Sequence, residues 1–202
     1  MFDSDLNYDA ARQKVTRRAF LLSGGMAAAV IAVWSFRSAP SYLSTASPSG
    51  PAPEVAIAGF SAAGTPMGTV RLPKIIKSDA EWRSQLAPLA YQVTRREGTE
   101  YAGTGPYTNN HADGLYRCIC CDTALYDSKT KYDSHTGWPS FWQPISEHNV
   151  STKTDRSFGD VRDAIACRLC DAHLGHVFSD GPKPTGLRYC MNSVALNFVA
   201  RA

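Results

Sequence analysis

Residues 173–198 read HLGHVFSDGPKPTGLRYCMNSVALNF, and their second half is a β-strand centred on Cys190. Side chains alternate faces along a strand, so Arg188, Cys190 and Asn192 are expected to point the same way. A cysteine is nucleophilic as its thiolate, and a cation beside it favours that form. Arg188 supplies the cation, and Asn192 offers a hydrogen bond beside the sulfur. Upstream, His173, His176 and Asp180 bring proton-transfer groups and a charge partner. The intervening GPKPTG is a rigid turn that folds the histidine segment back on the cysteine strand. Free cysteines are often plain core residues. An apolar core has no use for Arg and Asn on the same face, which favours a reactive Cys190.

Working outward, two Cys-x-x-Cys pairs stand out, Cys118/Cys121 and Cys167/Cys170. One such pair is a weak signal. Two, each in hairpin-like context, point to one Zn²⁺ held by four thiolates. A closed site of that kind is structural and clamps two hairpins distant in sequence. Two other readings compete. Cys167 and Cys170 could join His173 and His176 in a local site, which leaves Cys118 and Cys121 unused. The pairs could also be disulfides or redox dithiols. Cys120, between two ligands, is expected to point away from the metal. Between the pairs, residues 132–142 read YDSHTGWPSFW. Phe141 and Trp142 read as core. Trp138, held between Gly and Pro, suits the wall of an apolar pocket for a thioether or methyl group.

Before this, Ser78 and Glu81 form a capping box ahead of Trp82, Leu86 and Leu89. Pro88 opens a second helix that runs to Glu97 and stops at Gly98. The loop 99–115 follows, in which His111 reads as a surface histidine. The domain is placed at 78–202. Residues 47–77, rich in Pro, Ser, Ala and Gly, are expected to be a flexible linker. Residues 1–46 read as an address: KVTRRAFLL precedes a weakly apolar Gly/Ala tract. Arg17-Arg18 followed by Phe20 and Leu21 resembles a bacterial twin-arginine signal, with cleavage after Ala46 or retention as an anchor. The expected location is therefore the periplasm, with membrane contact only through this segment if it is uncleaved. A formal net charge of +3 is too small to imply nucleic acid, and 44% hydrophobic with 19% charged residues is ordinary for a globular chain.

The motifs RCICC (117–121), DSHTGWPSFW (133–142), CRLCDAHLGHVFSDGPKPTG (167–186) and RYCMNS (188–193) together resemble the methionine sulfoxide reductase B family. The resemblance covers the expected domain, including EWRSQLAPLAYQVTRREGTE (81–100). It implies a mainly β fold of two antiparallel sheets with short N-terminal helices, clamped by zinc. It implies that Cys190 is the catalytic cysteine, attended by His173, His176, Asp180, Arg188 and Asn192. Trp138 would pack on the substrate methyl group, with Phe178 beside it. The implied reaction reduces methionine-R-sulfoxide in proteins: the thiolate attacks, a protonated histidine, His176 ahead of His173, supplies a proton, and Cys190 becomes a sulfenic acid. A thioredoxin-like reductant restores the thiol. One departure from the family pattern is Thr136, where many members carry a resolving cysteine. Cys120 is then the one cysteine left over for recycling. Two rival classes are a non-catalytic zinc-binding interaction module and a general thiol-disulfide oxidoreductase. The first needs no reactive thiol, and the second places its Cys-x-x-Cys at a helix start.

Overall fold

A computed structural model of the chain describes residues 50–156 and 161–201. The expected address at 1–46 lies outside the described residues. Among those described, no helix is long and apolar enough to cross a membrane.

The entry helices form where local chemistry asks for them. Ser78 accepts a hydrogen bond from the Glu81 N–H, and the Glu81 carboxylate accepts from the Ser78 N–H at 2.7 Å, closing the capping box on α1 (Asp79–Gln85). Pro88 is the first residue of α2 (Pro88–Arg96). Trp82 and Leu86 are buried, but Leu89 is exposed; Ala90, Tyr91, Val93 and Thr94 carry the inward face of α2 instead.

The strands that follow pair into antiparallel sheets. A six-stranded sheet runs in the order β5 (Lys131–Tyr132), β6 (Ser140–Phe141), β10 (Arg188–Met191), β9 (His173–Phe178), β8 (Arg162–Cys167), β7 (Val150–Asp155). A three-stranded sheet runs β11 (Leu196–Ala200), β3 (Gly114–Cys118), β4 (Ala124–Asp127). These are the two sheets expected from the sequence. Between them the Phe141 ring stacks on Tyr126 at 4.4 Å and meets Tyr116 edge-on at 5.0 Å, all three fully buried with Ile165, Leu174 and Met191.

The expected linker at 47–77 is corrected over most of its length. Residues 54–73 form an antiparallel hairpin, β1 (Glu54–Phe60) and β2 (Pro66–Pro73). Ile57 is buried, and the buried Asn149 side chain takes both backbone groups of Ala58, at 2.7 and 2.9 Å. Lys74 pairs with Asp171 at 2.5 Å, and the Ile75 N–H donates to the Leu169 carbonyl. A segment whose backbone bonds are met by the domain's own side chains has no reason to remain a tether.

Register sets the site. Cys190 lies opposite Ser140 on one side and His176 on the other, and His176 lies opposite Ala164. The row Ser140, Cys190, His176, Ala164 therefore shares one face across four strands. Gly175, next to His176, makes the crossing possible: a Cβ there would lie 2.1 Å from the Cys190 carbonyl oxygen.

Candidate functional site

The sulfur atoms of Cys118, Cys121, Cys167 and Cys170 all lie within 4.8 Å of one another, the nearest pairs 3.5 and 3.6 Å apart. Tetrahedral thiolates at a bond of about 2.3 Å would sit roughly 3.8 Å apart, so this donor set fits one metal ion. Each pair sits on the same kind of knuckle. Cys118 N–H donates to Thr123 and Asp122 N–H back to Cys118; Cys167 N–H donates to Ala172 and Asp171 N–H back to Cys167. Asp122 and Asp171 both take a left-handed backbone, φ 61° and 55°. The sequence signal is thus Cys-x-x-Cys-Asp twice, with Asp tolerating the conformation the turn needs. Without a cation the thiols cannot ionise together: contact with Cys120 and then its other sulfur neighbours pushes Cys118 up, while contact with Cys118 pulls Cys121 down. The alternative grouping with His173 and His176 is not formed, since both histidines stand on β9 away from the sulfurs. Cys120 stands outside the four-sulfur group. It is buried under the helices, its side chain against Cys118, Cys170 and Thr94.

Cys190, half-buried, opens into a cavity of about 140 Å³ walled by Trp138, Phe178, His176, Asn192, Thr99 and Arg162. This gathers five of the eight residues expected at the reaction centre and its substrate wall. Asp180 and Arg188 stand beside the cavity as a forked ion pair, two bonds of 2.8 Å, with the guanidinium 4.3 Å over the Phe178 ring. Asp180 above all, and the Cys190 sulfur as a lesser attraction, hold Arg188 in its charged form. Arg188 in turn lowers the Asp180 carboxyl.

Two expected roles change. Asn192 does not donate toward the sulfur. β10 ends at Met191, so strand alternation stops there, and the Asn192 amide donates to Leu174 O at 3.0 Å and accepts from Glu100 N–H at 2.9 Å. His173 does not line the Cys190 cavity. It is buried behind His176, ring centroids 5.3 Å apart, with its Nε2 unpartnered. Burial, reinforced by His176, lowers its pKa from 6.5 to about 4, so it is neutral at pH 7. The unfolded chain takes up this proton near pH 6.5 and the native protein only near 4. Stability from this group is therefore lost as pH falls through that window, by up to about 3 kcal/mol. We expect urea unfolding to show wild type losing stability faster than His173→Gln between pH 6.5 and 4; parallel curves would refute the assignment.

Glu100 and Asp155 carry no local signal in the sequence, whereas Thr136 is marked by the resemblance. Glu100 is buried at 2% exposure; its carboxylate accepts from the Ser193 and Val194 N–H groups, and its carbonyl accepts from Trp138 Nε1 at 3.1 Å. It ties the aromatic wall to the end of the cysteine strand. Thr136 Oγ1 lies 3.8 Å from Cys190 Sγ and bonds Ser134, which bonds Ser140. A hydroxyl, not a thiol, thus faces the sulfur. Asp155 Oδ2 lies 3.1 Å from His176 Nε2 and 3.0 Å from Arg162 Nη2.

Fold and site together define a mostly β domain pinned by four cysteines, with a separate cysteine set against a histidine in an aromatic-walled cavity. Residues 86–200 match the SelR domain, and the chain belongs to that family. It is 51% identical over 127 residues to the peptide methionine sulfoxide reductase MsrB of Herminiimonas arsenicoxydans, covering 63% of this chain and 93% of that one. It is 54% identical over 123 residues to the MsrB of Thioalkalivibrio sulfidiphilus, 61% and 90% of the two chains. It is also 55% identical over 124 residues to the chloroplastic peptide methionine sulfoxide reductase B1 of Arabidopsis thaliana, 61% of each.

Proposed function

We infer that this protein is a peptide-methionine (R)-S-oxide reductase that returns methionine-R-sulfoxide in oxidised proteins to methionine. The observation that carries the reading is Cys190 set opposite His176 in a cavity walled by Trp138 and Phe178. Kinship with the methionine sulfoxide reductases supports the same chemistry.

In the reaction, the sulfoxide methyl group packs on Trp138 and its oxygen faces His176. The Cys190 thiolate attacks, the sulfoxide S–O bond breaks, and an S–O bond to Cys190 forms. His176 supplies the proton, so the products are a thioether and a Cys190 sulfenic acid. Arg188, held by Asp180, supports the thiolate. Asn192 and Glu100 keep the cysteine strand and the Trp138 wall in register. His173 packs behind His176 as a neutral ring.

The four-cysteine site holds one zinc ion, which cross-links the β3–β4 knuckle to the β8–β9 knuckle and takes no part in the reaction. Recycling comes from outside the chain. One thiol of a thioredoxin-like reductant displaces water from the sulfenic acid to give a mixed disulfide, and a second thiol releases Cys190. Thr136 beside the sulfur and the burial of Cys120 among the metal-site cysteines both support an external reductant. The twin-arginine-like segment supports export to the periplasm, where that reductant would work.

The test is turnover of the separated R and S sulfoxides of a protected methionine, with dithiothreitol as reductant. Reduction of the R epimer alone is expected. If zinc-loaded, folded protein turns over neither epimer, the reading fails and a non-catalytic zinc module takes its place.

A further inference from the structure

We propose that Asp155 is a positioning residue for His176, holding its Nε2 so that Nδ1 is the ring nitrogen that serves the substrate. This rests on His176 acting as the acid in the reaction above.

β7, β8, β9 and β10 bring Lys153, Ala164, His176 and Cys190 into one row. Ala164 is the smallest member, and it leaves room on that face beside the His176 ring. Arg162 and Asp155, paired with each other two residues along the ladder and so on the same face, reach into that room. Asp155 Oδ2 then takes both neighbours, His176 Nε2 at 3.1 Å and Arg162 Nη2 at 3.0 Å. The His176 side chain is only 12% exposed and that of Asp155 21%. A carboxylate this sheltered is an effective orienting partner for an imidazole.

A second cavity, of about 280 Å³, lies on the far side of His176 and is lined by Glu97, Asp155, Arg162 and His173. Thr99, Arg162 and His176 belong to both cavities. His176 therefore stands between the two, with the thiol on one side and a charged chamber roomy enough for water on the other. A proton given to the sulfoxide oxygen at Nδ1 is replaced from water, while Nε2–H stays on the carboxylate throughout. Neither the thiolate attack nor substrate packing on Trp138 needs Asp155, so its loss should slow the protonated step and leave binding alone.

The experiment is a double-mutant cycle on Asp155→Asn and His176→Gln, read as methionine formed in a single turnover without reductant, with KM from steady-state assays. His176→Gln is expected to lose roughly 10²- to 10⁴-fold, the range of a positioned general acid. Asp155→Asn should lose roughly ten- to a hundredfold of that, with KM nearly unchanged, and Asp155→Glu should recover part of it. Added to His176→Gln, Asp155→Asn should cost nothing more. An equal further loss in that background would mean a purely structural role and overturn the proposal, as would no loss in the single variant. If Asp155→Asn does not fold, the cycle is run with Asp155→Glu, and additivity there overturns it equally. An active His176→Gln protein would instead overturn the acid assignment itself, and the proposal with it.

Discussion

Cys190→Ser is expected to leave the domain folded and metal-loaded while sulfoxide reduction falls to background. The residue is half-buried on a strand whose partners, Ser140 and His176, are polar, and serine keeps its volume and adds no charge. Stability should therefore move by no more than about 0.5–1 kcal/mol. Activity should fall on the order of 10⁶-fold, the scale on which loss of a covalent nucleophile acts. No other thiol can take over: four cysteines lie within 4.8 Å of one another in the metal site, and Cys120 is buried against them. The check is steady-state turnover alongside zinc content and urea unfolding. Residual activity above a thousandth of wild type in folded protein would mean that another group accepts the oxygen.

The second large effect belongs to the clamp. Cys170→Ser removes one of four donors from a site that joins knuckles on two different sheets. Binding of structural zinc is worth about 10–16 kcal/mol in small finger peptides, comparable to the whole stability of about 5–15 kcal/mol of an ordinary domain. We expect Cys170→Ser to lose stoichiometric zinc and cooperative unfolding together. Cys120→Ser, which alters a neighbour outside the four, should keep its metal and lose no more than about 1–3 kcal/mol from its buried site. Retention of full zinc and an unchanged unfolding curve in Cys170→Ser would show that the clamp is not built from these four thiols.

Much of this was legible in the sequence wherever the determinant is local. The capping box at Ser78, the proline opening α2, the two Cys-x-x-Cys knuckles and the strand around Cys190 are each written in a few adjacent residues. Trp138 was also legible, because a tryptophan between glycine and proline is poorly placed for core. What escaped was set by neighbours remote in the chain. Alternation brought Asn192 to the Cys190 cavity, but not its hydrogen bond: β10 has already ended there, and the amide is taken by Leu174 and Glu100. Asp155 gives no local sign of meeting His176; three strands in register deliver it there. The hairpin at 54–73 was hidden by a composition rich in Ala, Gly and Pro, and what holds it lies far off in the chain, above all a buried asparagine 91 residues away from Ala58. His173 and His176 look equivalent by residue type, but burial separates them into a neutral packing ring and a cavity wall.

The central claim is that one oxygen atom passes from a methionine-R-sulfoxide to Cys190. It is tested most directly by mixing the enzyme with each epimer without any reductant, then measuring methionine released and the intact mass of the protein. The account predicts one methionine per chain from the R epimer, with one oxygen gained by the protein and located on Cys190 by dimedone capture, and nothing from the S epimer. Methionine formed with no oxygen on Cys190, or equal consumption of both epimers, would contradict it.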